Sequence, residues 1–290
     1  MAYRVRRMGA GDVPAGLHLS TAAGWNQRID DWEWLAMTAG DGAFVAESSE
    51  GVIGTAMGLD YGSFGWIAMM LVAPPHRSQG VGRSLLDAAV AAVPAVNPIG
   101  LDATPAGRPL YESRGFAETC SLTRYGRPGA HHGPLMSADA DLRPLVEGDL
   151  DAVLAVDVQV FGATRRRALA WALAQAPQLC WIARDSTTTM GYCFGRRGRL
   201  FDHIGPVVAG SAEIAMALIA YACASHDPHR TLIADVFDRH AGLREWMEGQ
   251  AFTGQRPLHR MWRPSTNAMR PETSVLPGLR EYAILGPDLA

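Results

Sequence analysis

The chain has 290 residues, more than one domain usually carries, and 48% of them are hydrophobic, enough for ordinary buried cores, so two domains are the first expectation. A formal net charge of -3 argues against an extended nucleic-acid surface and implies no charged partner. No segment is long and apolar enough to span a bilayer, and Cys120, Cys180, Cys193 and Cys223 are scattered without a CxxC pair, so a cytoplasmic protein with reduced, buried thiols, no metal site and no membrane contact is expected.

In chain order, Tyr3, Val5 and Arg7 alternate with Arg4, Arg6 and Met8 as a short strand. Gly9 to Asp12 turn the chain, with Asp12 placed to cap a helix through Leu19 or beyond. Gly24 to Leu35 is dense in aromatic and acidic groups, and Asp30 or Asp31 caps a second helix that buries Trp32 or Trp34. Three strands follow in hairpin order, Ala43 to Glu47, Val52 to Leu59 and Trp66 to Val72.

The apolar run Trp66 to Val72 stops at Pro74-Pro75, passes through Arg77-x-x-Gly80-x-Gly82, and re-emerges as an amphipathic segment with Leu85, Leu86, Ala89 and Val90 on one face. That pattern predicts strand, tight loop and helix. Glycines let the backbone approach a bulky anion, and the first turn of a helix presents unpaired N–H groups at the positive end of its dipole. The stretch therefore reads as an anion cradle, with a plain packing turn as the alternative. No Gly-Lys-Ser/Thr follows, which excludes a Walker loop, and the third glycine of a dinucleotide fingerprint is missing. The helix, Gly80 to Val93, ends before Pro94. Ile99 to Ala103 supplies a strand containing Asp102, and Thr104-Pro105-Ala106-Gly107 starts a helix that carries Tyr111 and closes at Arg114-Gly115.

The ordered set Val72-x-Pro74, Arg77-x-x-Gly80-x-Gly82 and Leu110-Tyr111-Glu112-x-x-Gly115-Phe116 resembles the acetyl-CoA-binding core of the GCN5-related N-acetyltransferases, the GNAT family. The resemblance implies that the stretch Arg77, Ser78, Gln79, Gly80, Val81, Gly82, Arg83 and Ser84 holds the coenzyme pyrophosphate. It also implies that amides around Leu71 and Val72 polarise the thioester carbonyl, and that Tyr111 is the general acid for the departing thiolate. An aromatic that merely packs its helix on the sheet is the other reading of Tyr111. Thr104 stands where the family has an asparagine that contacts the coenzyme arm. Ser78 stands where it often has glycine, a change tolerated only with ordinary torsions.

The glutamate that serves several relatives as base has no counterpart, since Trp66 to Val72 contains no acidic residue. Asp102 is the substitute, as base or as anchor for the ammonium, or else it caps the turn at Thr104. By the same resemblance Trp25 and Asn26 flank the acceptor and Asp30 attracts its amine. His18, Asp60 and a solvated His76 are lesser candidates.

The second half reads as a worn copy of the first. Residues 1–126 form the catalytic domain, 127–139 a linker containing His131 and His132, and 140–290 the copy. Leu142-Arg143-Pro144-Leu145 with Gly148-Asp149 echoes Val5 to Asp12. Strands over Leu179 to Ala183, Met190 to Arg196 and Leu200 to Val208 precede a helix over Ser211 to Ala224. Ile233-Ala234-Asp235-Val236 parallels Gly100 to Ala103, and Met247 to Phe252 parallels Tyr111 to Phe116. Only Ala209-Gly210-Ser211-Ala212-Glu213 joins strand to helix, and Met247 replaces the tyrosine, so one active site is expected.

This half resembles the degenerate C-terminal domain of a two-domain GNAT subset, with Phe161-Gly162-Ala163-x-Arg165 at its start and Arg260-Met261 at its close. Its Asp202, His203 and Asp235 either face the acceptor or serve structure, and Arg165-Arg166-Arg167 is a solvated helix face or an anion clamp. The fold expected is α/β, a tandem GNAT fold in which each copy is a mixed, mostly antiparallel twisted sheet flanked by helices. The function implied is acetyl transfer from acetyl-CoA, without a metal, to a small-molecule amine such as an antibiotic, amino sugar, polyamine or amino-acid derivative, by a monomer or homodimer. Acetylation of protein lysines or N-termini, and a non-catalytic acyl-CoA sensor, are the alternatives.

Overall fold

A computed structural model describes residues 2–129, 136, 138–265 and 279–289. His131 and His132 lie outside the described residues. The chain forms two compact units, Met1–Ala117 with Met261–Arg270, and Glu118–Arg260 with Pro271–Ala290.

The first unit is built on β1 (Tyr3–Arg7), α1 (Val13–Ala22), α2 (Ile29–Ala39), β2 (Ala43–Ser48), β3 (Gly51–Asp60), β4 (Gly65–Val72), α3 (Val81–Ala91), β5 (Ile99–Ala103) and α4 (Arg108–Glu112). Strands β1 to β4 form an antiparallel meander, and β5 joins β4 in parallel. The apolar face of α3, with Leu85, Leu86 and Ala89 buried, packs into a core with Ile53, Ile67, Ile99, Leu101, Phe116 and Met261. Each fully buried leucine contributes about 1.5–3 kcal/mol. The helix seats so closely that a Cβ at Gly58 would stand 2.3 Å from the Ala89 carbonyl oxygen.

Helix α2 buries Trp32, whose indole N–H donates to Ser20 Oγ at 3.0 Å, with Gly16 directly under the ring. Asp31, not Asp30, caps this helix by accepting the Arg28 N–H at 2.7 Å. Asp12, by contrast, differs from expectation. Its carboxylate turns back to the Gly9 N–H at 2.8 Å and to Arg6, instead of forward into α1.

The second unit contains β6 (Ala117–Arg127) from its residue Glu118 onward, β7 (Asp141–Pro144), α5 (Leu150–Phe161), α6 (Arg166–Gln175), β8 (Trp181–Arg184), β9 (Thr189–Arg196), β10 (Phe201–Ala209), α7 (Ala212–Ala224), β11 (Thr231–Phe237), α8 (Ala241–Gly249), most of β12 (Thr253–Arg263) and β13 (Arg280–Ala283). Strands β7 to β10 repeat the antiparallel meander, β11 joins β10 in parallel, and β6 joins β11 antiparallel. Helix α7 supplies Ile214, Ala215, Leu218, Ile219 and Ala222 to the core against Cys193, Val207 and Val236. The α/β fold with mostly antiparallel sheets flanked by helices is the one expected.

The repeat extends to side chains. Arg143 holds Asp149 at 2.7 and 2.6 Å, with Asp149 accepting the Val146 N–H, as Arg6 holds Asp12. Among the described residues no helix is long and apolar enough to cross a membrane.

Candidate active site

Strand β4 does not run regularly. Its register on β3 slips by one residue between Thr55↔Leu71 and Met57↔Ala68, a bulge that puts Met69 at φ 50 in the left-handed region. Such a conformation costs a side-chain-bearing residue about 1–2 kcal/mol. Thr55, fully buried on β3, donates its hydroxyl to the Met69 carbonyl at 2.7 Å and fixes the bulge. On its other edge β4 pairs with β5 only at Gly65↔Ile99 and Trp66↔Gly100. Among the described residues no further pair joins them beyond Trp66, so Leu71 and Val72 on one strand and Asp102 and Ala103 on the other flank a parting in the sheet. The sequence carried no sign of this bulge, because an all-apolar run has no alternation to break.

From Val72 the chain enters the loop 73–80, whose Arg77, Ser78, Gln79 and Gly80 are exposed. Gly80 takes φ 85 and Ser78 φ 60. The second value corrects the sequence reading, since Ser78 keeps the left-handed torsion that glycine would hold instead of an ordinary one. Arg77 Nε donates to the Val72 carbonyl at 3.0 Å and Gln79 Nε2 to the Pro75 carbonyl at 2.8 Å, so both side chains brace the loop. The bond from Ser84 N–H to the Gly80 carbonyl opens α3, leaving the amides of Val81, Gly82 and Arg83 at the positive end of the helix. A Cβ at Gly82 would meet Leu110, Met70 and Val72 no closer than 3.5 Å, so it is the torsion at Gly80 that demands glycine. Tyr3 OH lies 3.0 Å from Ser84 Oγ and ties β1 to this turn. Amides without a helical acceptor at a helix start, on a loop bent by two left-handed residues, fit a phosphate-bearing ligand.

Tyr111, in the last turn of α4, is only 8% exposed, edge-on to Phe116 with ring centroids 6.0 Å apart. Burial pushes its phenol well above the ordinary tyrosine value, so it keeps its proton. Asp102 is half-buried between Leu101 and Ala103, which point into the core. The turn that follows it is capped by the Thr104 hydroxyl, which accepts the Gly107 N–H at 3.3 Å.

The other predicted residues of this unit are placed as follows. Trp25 is half-buried and Asn26 buried, just before α2. Asp30, expected to attract an amine, is ion-paired with Arg28. His76 is buried, not solvated, with Nε2 3.4 Å from Glu50. His18 is exposed, and Asp60 accepts the Gly62 N–H in a hairpin turn.

In the second unit His203 and Asp235 are 1% and 0% exposed. Asp235 takes two 2.7 Å hydrogen bonds from Arg124 and lies 3.5 Å from His203. They belong to a closed ionic cluster, not to a surface that an acceptor reaches. Asp202 is held likewise by Arg230 and His226. Arg165 is buried against Asp157 at 2.8 Å, while Arg166 and Arg167 remain exposed. The link between β10 and α7 is only Gly210 and Ser211, and the Ser211 hydroxyl accepts the Ile214 N–H at 3.3 Å. Among the described residues no group of three or more His, Cys, Asp or Glu side chains is placed to hold a metal ion.

Comparison with known proteins agrees with this geometry. The profile of an acetyltransferase (GNAT) domain matches residues 39–118, and a second acetyltransferase (GNAT) domain profile matches residues 153–275. An uncharacterised N-acetyltransferase of Bacillus subtilis (strain 168), YitH, is 26% identical over 233 residues, 79% of this chain and 80% of that protein. A solved structure from Pyrococcus horikoshii, described provisionally as an acetyltransferase, superposes with TM-score 0.74 at 18% identity, covering 99% of this chain and 96% of that one. A tandem GNAT protein from the clavulanic acid biosynthesis pathway shares the fold at TM-score 0.63 and 13% identity, over 92% of this chain and 100% of that one. The chain therefore belongs to the GNAT family of acetyltransferases and carries two GNAT domains in tandem.

Proposed function

We propose that the first unit transfers an acetyl group from acetyl-CoA to the primary amine of a small molecule, by direct attack while both are bound. One observation carries this reading: the parting of β4 and β5 opens beside the loop 73–80 and the amide-rich start of α3. Bound there, acetyl-CoA supplies an activated thioester. The amides of Val81, Gly82 and Arg83 hold its phosphates, and the backbone beyond the Met69 bulge, at Leu71 and Val72, polarises the acyl carbonyl. Tyr111, kept protonated by burial, gives its proton as the carbon–sulfur bond breaks. Asp102, at the edge of the parting, orients the ammonium or takes its proton so that the neutral amine attacks. Thr104 contributes through its position at the head of α4, its hydroxyl already engaged by Gly107.

The test is thiol release from acetyl-CoA against a broad amine library, with coenzyme binding followed by calorimetry. Turnover of one class of small amine is expected. Coenzyme binding with turnover of peptide amines alone would replace the small molecule by a protein acceptor, and binding with no turnover would make the chain a sensor.

A further inference from the structure

In the first unit β4 and β5 part after Trp66↔Gly100. The matching strands of the second unit, β10 and β11, part after His203↔Ile233, and there the parting is filled by the chain itself. Strand β13 lies in it, antiparallel to β10 through Val207↔Ala283, Val208↔Glu281 and Ala209↔Arg280, and to β11 through Val236↔Ala283. The Ile284 N–H also donates to the Asp235 carbonyl at 3.1 Å. The approach is so close that a Cβ at Gly205 would stand 1.8 Å from the Ile284 carbonyl oxygen.

The segment is held through its charges as well. The Glu281 carboxylate is 3.2 Å from Arg165 and 4.0 Å from Arg260, and Asp288 is 3.1 Å from Arg196. The Leu285 carbonyl lies 3.3 Å from Arg196 Nε and 2.8 Å from His203 Nδ1. Main-chain pairing for affinity and side-chain partners for register are how a sheet binds an added peptide strand. Without the segment Arg196 would lose Asp288 and Arg165 would share Asp157 with no second carboxylate from Glu281, and loss of a buried charge partner is strongly destabilising, so this cleft favours an acidic occupant.

We propose that residues 280–289 are the resident ligand of a strand-binding cleft in the second unit, recognised through two carboxylates, and that this occupancy excludes coenzyme from that unit. The exclusion rests on the reading that a thioester arm lies between β4 and β5 of the first unit. An arm entering between β10 and β11 would have to displace β13 from the same backbone groups.

The test uses the full chain and a full-length variant carrying Glu281→Arg and Asp288→Arg. In the unaltered chain, amide hydrogen exchange at Ala283 and Ile284 is expected to be slow and unchanged by saturating acetyl-CoA, with one coenzyme bound per chain. In the variant these two amides should exchange at least about tenfold faster while β8 and β9 keep their rates. A labelled synthetic peptide of residues 279–289 should then bind the variant one-to-one and not the unaltered chain. Acceleration of all second-unit amides together, or no peptide binding, would overturn the cleft. A second bound coenzyme, or faster exchange at Ala283 on adding it, would overturn the exclusion. Failure of acetyl-CoA to bind at all would remove the proposed function, and the peptide arm would still decide the cleft.

Discussion

Thr55 donates its buried hydroxyl across the sheet to the carbonyl of Met69, at 2.7 Å, and so holds a left-handed residue in the middle of β4. Thr55→Val keeps the shape and leaves the carbonyl without this donor, which costs about 1–3 kcal/mol. Urea denaturation is expected to show that loss, and Thr55→Ser to restore most of it. If the amides beyond the bulge polarise the thioester, kcat should fall about tenfold in Thr55→Val while coenzyme affinity holds.

Ser78 and Gly80 both bend the loop through the left-handed region. Ser78→Gly relieves a torsional cost of about 1 kcal/mol against a comparable gain in unfolded-chain entropy, so stability should move little. Gly80→Val places a β-branched residue at φ 85, and combined with Arg77→Ala it should abolish coenzyme binding by calorimetry. Retained affinity would show that the cradle lies elsewhere.

Tyr111 has its phenol raised by burial, so it remains protonated through the alkaline range where an exposed tyrosine begins to ionise. The rate should therefore show no alkaline decline from Tyr111 at or below about pH 10. Tyr111→Phe should lower kcat about a hundredfold and leave coenzyme affinity unchanged. An unaltered kcat would assign the proton to another donor.

Arg124 and Asp235 form a bidentate pair inside the second unit. Removing one partner strands a buried charge, so Asp235→Ala should cost about 3–5 kcal/mol, whereas Arg124→Met with Asp235→Leu should cost less than either single change. Once an acceptor is identified, its KM should be the same in that double variant as in the unaltered chain. A raised KM would return Asp235 to the acceptor site.

Several groups in the second unit have depressed proton affinity when folded. Burial lowers His203 and His240, and Asp149, Asp202 and Asp235 lie below the ordinary carboxylate value because arginine or histidine partners outweigh their burial. In each case the unfolded chain binds more protons, so stability rises with pH. The urea midpoint of this unit should be flat between about pH 7 and 8, decline below the ordinary histidine value near 6.5, and decline again below about pH 4. A midpoint that increases on acidification would contradict this sign.

The local sequence determined the order of elements and the loop. Apolar periodicity, Pro74-Pro75 and the Gly80-x-Gly82 spacing lie within a few residues of one another, and so do the forces that make strand, turn and helix of them. The internal repeat was legible for the same reason, but the arginine–aspartate clamps at Arg6–Asp12 and Arg143–Asp149 emerged only from the structure. Only the tertiary structure decided what depends on partners far along the chain. The Met69 bulge is fixed by Thr55 from a neighbouring strand, Asp235 is neutralised by Arg124, Met261 returns to the core of the first unit, and β13 fills the parting between β10 and β11. Burial and charge pairing are set by which residues meet in space, and no local pattern records that.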